Sequence, residues 1–481
     1  MNSFVTTLWF ALTVLLSFVH ADDTITCDAT TKCPESAPCC SQFGICGTGA
    51  YCLGGCDIRY SFNLTSCMPM PRMDSFQYQF DSKDKVEQIE QQYEYLGNSS
   101  EADWVFSGWV DYHDDALLVQ MPKNTTGTVL SSTKYIWYGK VGATIKTSHD
   151  QGVVTAFILF SDVQDEIDYE FVGYDTKNPQ SNYYSQGILN YNNAKNSTVN
   201  DTFDYYHLYE FDWSETKIDW YVDGEKVRTL QRSDTWNDTT KRFDFPQTPS
   251  RIQISLWPGG DPSNGLGTIE WAGGLINWDT PDIQNYGYYY AYIKEFHVET
   301  ANLIDGVKLD GSSSNSNDYH AFLYNSTAGN QENVYLTNKK TWLGSQDAVG
   351  FNPQNDVKPS SSSSSKSVKA TTHSKTVVKT SGSKTFTTTE VTTSSETSNN
   401  NNNNNNAPPV NAAQAAQKTG TSDNGYNPSA GIGGFVQDTS NTDSADTGSG
   451  NGSSGKNAAS GLNVGVMGIL FSVILGGSLL L

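Results

Sequence analysis

Three carboxylates stand at alternate positions in the stretch Asp165-Glu166-Ile167-Asp168-Tyr169-Glu170-Phe171-Val172-Gly173. In an extended strand successive side chains point to opposite faces, so Glu166, Asp168 and Glu170 share one face while Ile167, Tyr169 and Phe171 take the other. The apolar face can pack against a second sheet. The acid face gains nothing by packing, because its charges repel. A solvated edge strand is the bland explanation, but edges are usually guarded by Lys or mixed charge. The preceding run, residues 153–160, also reads as a buried strand. The chemistry that needs such a row is glycosidic bond cleavage, in which two carboxyl groups flank the bond, one giving a proton and the other attacking or guiding water. At about 3.3 Å per residue the Glu166 and Glu170 Cα atoms lie roughly 13 Å apart. Leaning over Asp168, the two side chains can close to the roughly 5–5.5 Å of a retaining enzyme, and the spacing leaves the wider inverting separation open. The middle acid can hydrogen-bond one Glu and keep the proton affinities of the pair apart.

Glu-Ile-Asp-x-Glu resembles the active-site strand of family-16 glycoside hydrolases. With Ser161 upstream and Val172-Gly173 downstream, the longer string is similar to the fungal Crh-type cell-wall transglycosylases. The resemblance implies Glu166 as nucleophile, Glu170 as general acid/base and Asp168 as the helper between them. It implies chitin as donor and β-1,3- or β-1,6-glucan as acceptor, with neither cofactor nor metal. In that mechanism Glu170 protonates the leaving oxygen while Glu166 attacks the anomeric carbon. Burial and neighbouring negative charge raise the proton affinity Glu170 needs. The motif does not encode whether water or a second sugar resolves the intermediate.

The surrounding elements must hold those acids along a groove. Over residues 73–300 short runs rich in Val, Ile, Tyr, Phe and Trp alternate with Gly, Asn, Asp and Pro, as in residues 216–224 and 251–257. This pattern predicts an all-β, two-sheet antiparallel sandwich. Asp223-Gly224 is a hairpin turn. Residues 83–95 leave a short helix and an edge loop both open. The resemblance continues here through His207, Trp213 and residues 218–224, and implies a jelly roll with the sugar chain on its concave face. Tyr138, His207, Trp220, Gln253, Trp257 and Trp271 are the expected lining residues, each weighed against a plain core role.

Acidic residues outnumber basic ones, giving a net charge of −22. Nucleic acid and anionic membrane surfaces are therefore excluded as expected partners, and a neutral polysaccharide fits. An apolar run from Leu8 to Val19, then Val19-His20-Ala21, reads as a signal peptide over 1–21. At the other end an apolar run from Leu462 to Leu481 follows small residues, the layout of a GPI-attachment signal over 451–481, with Asn451, Gly455 or Asn457 as the attachment residue. A tail-anchored helix is the alternative; under the GPI reading the lipid is the only membrane link. The expected location is therefore the cell wall and the outer face of the plasma membrane. Sequons at Asn63, Asn98, Asn124, Asn196, Asn200, Asn237, Asn325 and Asn451 agree with a secretory route. Residues 351–450, rich in Ser, Thr and Asn, cannot bury enough apolar surface to fold and read as a glycosylated, disordered stalk. Residues 301–350 stay ambiguous between strands and ordered coil.

All eight cysteines lie between Cys27 and Cys67. In a secreted chain this means a small disulfide-stapled module over 22–68, with zinc as the disfavoured alternative. Residues 39–47, with Cys33 before and Tyr51-Cys52 after, resemble the hevein-type chitin-binding module. That likeness implies the pairs Cys27–Cys40, Cys33–Cys46, Cys39–Cys52 and Cys56–Cys67, and sugar contacts from Ser41, Phe43 and Tyr51. Ile45 stands where the family usually has an aromatic, which implies weak chitin binding. A purely structural cap is the competing role. A plain endo-hydrolase and a non-catalytic chitin-binding adhesin are the rival readings of the whole chain.

Overall fold

The computed structural model describes residues 24–354, together with the backbone of a separate strand pair, His373–Ser381 with Lys384–Thr392. Two eight-stranded sheets face each other. The sheet that carries the acids runs, in spatial order, Lys195–Asn196, Gln180–Tyr184, Glu166–Val172, Val154–Ser161, Ser250–Trp257, Thr128–Ser132, Trp104–Ser107 and Glu90–Gln91. The opposing sheet centres on Gly139–Lys146 and the long strand Tyr288–Thr300. Both sheets obey the period of two. Ile167, Tyr169 and Phe171 point inward onto Tyr209 and Phe211 of the opposing strand His207–Trp213, with Tyr169–Tyr209 and Phe171–Tyr209 ring centroids 5.2 and 4.7 Å apart. The acid strand is thus fixed by its apolar side, which leaves its other side to the groove.

Asp223 and Gly224 both take positive φ (50° and 81°), closing the hairpin between Lys217–Val222 and Glu225–Gln231. Such values suit a primed two-residue turn. The charged segment left open above holds a five-residue helix, Lys83–Glu87, then the short strand Glu90–Gln91. The extension after residue 300 is ordered. Lys308–Asp310, Val334–Thr337 and Ala321–Tyr324 form a four-stranded sheet with Met70–Pro71, which joins the end of the cysteine-rich module to the extension. The strand pair, His373–Ser381 with Lys384–Thr392, lies inside the segment read above as an unstructured stalk, where its Thr and Val residues favour extended backbone. The segments read above as a signal peptide, as the remainder of the stalk and as a GPI-attachment signal lie outside the described residues. Among the described residues no helix is long and apolar enough to cross a membrane.

Candidate active site

Register places the acids on a shared floor. Glu166 pairs with Phe160 and Tyr184, Asp168 with Ile158 and Asn182, and Glu170 with Ala156 and Gln180. One strand further on, Phe160, Ile158, Ala156 and Val154 pair with Arg251, Gln253, Ser255 and Trp257. Paired residues project from the same face, so these side chains form the surface that a sugar chain would lie along. The loop before the acid strand is tightly held. The Ser161 hydroxyl accepts a hydrogen bond from the Asp165 amide (2.9 Å). The Asp165 carboxylate accepts from the Gln186 amide (3.0 Å), the Gln247 amide (2.9 Å) and the Thr248 hydroxyl (2.7 Å). Glu166 therefore enters its strand from a fixed point.

The three acids are buried, with Asp168 fully enclosed. Burial raises the Glu166 carboxyl well above the usual range, and the charges of Asp168 and Glu170 raise it further. Burial also raises Glu170, with Asp168 adding to it. Asp168 is pushed up to about 8 by burial, against the pull of the Arg228 guanidinium. The direction is the same for all three: in this crowded, low-dielectric site each carboxyl gives up its proton less readily than it would in water. A proton retained at neutral pH is what a general acid requires. Among the described residues Glu166 Oε1, both Asp168 oxygens and Asn182 Oδ1 are buried and accept no hydrogen bond. Such atoms concentrate at reaction sites. The expectation that Asp168 hydrogen-bonds a neighbouring Glu is corrected: it acts on them through charge.

Gln253, Trp257 and Trp271 of the expected lining residues lie on or beside this surface. Trp257 and Trp271 stack with ring centroids 6.1 Å apart, and Trp271 Nε1 donates to Gln180 Oε1 (2.8 Å), next to Glu170. Gln253 is on the floor, but its amide donates to Gln42 of the cysteine-rich module (3.0 Å). The other three are corrected. Tyr138, at φ 67°, packs edge-on against Trp213 and donates from its hydroxyl to Gln331 of the extension (2.6 Å). His207 belongs to the opposing sheet, and its Nδ1 meets Asp223 (2.7 Å). Trp220 is buried between the sheets and donates from Nε1 to the Asp168 carbonyl (3.2 Å). Period-two alternation could not separate inner from outer faces without knowing which sheet each strand joined.

Two groups of residues were missed. Gln180, Asn182 and Tyr184 flank the acids one for one, and the alternation in Gln180-Ser181-Asn182-Tyr183-Tyr184 was the available signal. Arg228 was invisible because it comes from the opposing sheet. Its guanidinium sits 4.4 Å over the Trp220 ring and donates to the Ser181 carbonyl (2.7 Å) and hydroxyl (3.2 Å). It supplies positive charge from behind the acid strand.

The module holds the disulfides Cys27–Cys40, Cys33–Cys46, Cys39–Cys52 and Cys56–Cys67, the same pairs that the hevein-type likeness implied. The sulfurs of Cys27, Cys33 and Cys40 lie within 4.8 Å of one another, but each is in a disulfide and offers no thiolate to a metal. Ser41 and Phe43 are half-buried. The Tyr51 ring lies against Gly47 and packs on the main core. Asn63, Asn98, Asn124, Asn196, Asn200, Asn237 and Asn325 are all exposed or half-exposed; Asn451, Gly455 and Asn457 lie outside the described residues.

Residues 98–273 match the model of glycosyl hydrolases family 16. The chain is 63% identical over 478 residues to Crh-like protein UTR2 of Candida albicans, covering 98% of each chain. It is 46% identical over 354 residues to Congo red hypersensitive protein 2 of Saccharomyces cerevisiae, covering 73% of this chain and 74% of the relative. A solved structure described as apo Crh5 transglycosylase superimposes with a TM-score of 0.46 at 27% identity, covering 56% of this chain and 97% of that one. With the near-full-length relative and the family-16 match over the acid strand, the chain belongs to the Crh-like proteins, and its catalytic sandwich is a glycosyl hydrolase of family 16.

Proposed function

We propose that this protein is a retaining cell-wall transglycosidase that cleaves chitin and transfers the cleaved chain to β-1,3- or β-1,6-glucan. The observation that carries the reading is the row of three buried acids on one face of one strand, with the stacked Trp257–Trp271 pair flanking the Glu170 end. Glu170, holding its proton, gives it to the leaving glycosidic oxygen. Glu166 attacks the anomeric carbon from the opposite side, the C–O bond to the leaving chain breaks, and a glycosyl ester forms on Glu166. Glu170, now a carboxylate, takes a proton from the incoming hydroxyl as it displaces Glu166. Asp168 lies between the two with its proton affinity raised by burial, and Arg228 limits how far that affinity rises. The near-full-length Crh-like relative, 63% identical to this chain, supports the reading. Secretion, residence in the cell wall and a GPI lipid are part of the same reading, supported by the leader, the sequons and the terminal apolar run.

The test is product analysis with chitin oligosaccharides and a fluorescent glucan acceptor. Labelled hybrid products at low acceptor concentration support transfer. Products of water attack alone would make the protein an endo-hydrolase. Retention on chitin with no turnover would make it an adhesin.

A further inference from the structure

The cysteine-rich module is bound directly to the acid-bearing face of the sheet. Gln42, in its Cys40–Cys46 loop, is buried, and its side-chain carbonyl accepts from Arg251 Nη2 (2.7 Å) and Gln253 Nε2 (3.0 Å). Both partners project from the acid-bearing face: Gln253 is in register with Asp168 through Ile158. Two strand spacings, about 10 Å, separate the Gln253 and Asp168 backbones. At Gly54 the module backbone comes so near that a Cβ there would lie 2.5 Å from Arg251 Nη1. The Gly55 amide donates to Asp162 (2.9 Å), Arg59 Nη1 donates to the Gln186 carbonyl (2.9 Å), and Cys39, Cys52 and Cys56 belong to the same hydrophobic core as the sandwich. On its far side the Thr48 hydroxyl donates to the Gln346 carbonyl (2.9 Å) of the extension.

We propose that the Ser41-Gln42-Phe43 loop is an outer subsite of the catalytic groove, so that one N-acetylglucosamine chain lies across the acid strand and the module at once. This rests on chitin being the donor. Gln42 occupies the polar groups of Arg251 and Gln253, so a chain leaving Glu166 across that strand meets the module instead of a bare floor. The half-buried side chains on either side of Gln42 are Ser41 and Phe43, a hydroxyl and a ring, the chemistry that holds a pyranose. Tyr51, packed on the core, belongs to the module's attachment. Because the loop is fixed by buried hydrogen bonds, the chain does not have to order a linker on binding, and the second contact adds to the first without that cost.

The test uses the full chain carrying Glu166→Gln to stop turnover, titrated calorimetrically with chitin oligosaccharides from disaccharide to octasaccharide. A shared groove gives one octasaccharide per protein, with affinity rising once the chain spans both parts. Adding Phe43→Ala weakens the octasaccharide about tenfold, the effect of one lost stacking contact, and leaves the trisaccharide unchanged. Gln42→Leu, which frees the loop while the disulfides keep the module folded, removes the same length-dependent gain. Two octasaccharides per protein, or equal effects of Phe43→Ala at every length, would overturn the composite groove while leaving the chitin reading intact. Binding of glucan but of no chitin oligosaccharide would remove the chitin reading, and this inference with it.

Discussion

Replacing Asp168 with Asn should stabilise the protein at neutral pH while disabling it. Burial lifts the Asp168 carboxyl from 3.8 to about 8 in the folded state. Between those values the native protein keeps a proton that the unfolded chain has released, so stability falls as pH rises through the window. Below it both states are protonated and the difference vanishes. Across the three pH units from 4.5 to 7.5 the loss reaches about 4 kcal/mol at roughly 1.4 kcal/mol per unit. Asn has the shape of the protonated acid and does not titrate, and Asp168 accepts no hydrogen bond whose loss would mask the gain. The stability gap between variant and wild type should therefore widen in favour of the variant by about 2–4 kcal/mol between pH 4.5 and 7.5, or roughly 5–10 °C in Tm. Scanning calorimetry at the two pH values measures it, alongside turnover at pH 6. A gap that does not change with pH, or a variant less stable at pH 7.5, would refute the claim that this carboxyl is held protonated by burial.

Glu170→Gln should lower kcat by at least about 10²-fold on natural glycosides, the usual contribution of a positioned acid/base. Azide should restore turnover of an activated aryl glycoside, whose leaving group needs no proton, and yield a β-glycosyl azide; no rescue would remove Glu170 from its role. Arg228→Met withdraws the charge that holds Asp168 down, so the ionisation on the acidic side of the kcat/KM profile should move to higher pH. An unmoved profile with only a lower Tm would make Arg228 a structural residue.

The acids were readable in the sequence because an alternating carboxylate row has no structural use, and the strand that carries them needs only local period-two geometry. The hairpin at Asp223-Gly224 was readable for the same reason: its turn requires positive φ at adjacent residues. Trp220 and His207 were misplaced because face assignment depends on sheet membership, a long-range fact. Trp220 serves the site from beneath, through the Asp168 carbonyl. Gln253 projects from the same face as the acids, but its partner Gln42 lies 211 residues away in sequence, and only the folded chain brings the two together. The extension was undecided for a related reason: its strands pair with Met70–Pro71, on the other side of the whole catalytic domain.

The most direct measurement is to trap the covalent intermediate. Incubation with a fluorinated, activated chitin-oligosaccharide donor, followed by proteolysis and mass spectrometry, should find one glycosyl group esterified to Glu166 in the wild type and none in Glu166→Gln. A sugar on another residue, or full turnover of the donor with inverted anomeric configuration and no adduct, would contradict the account.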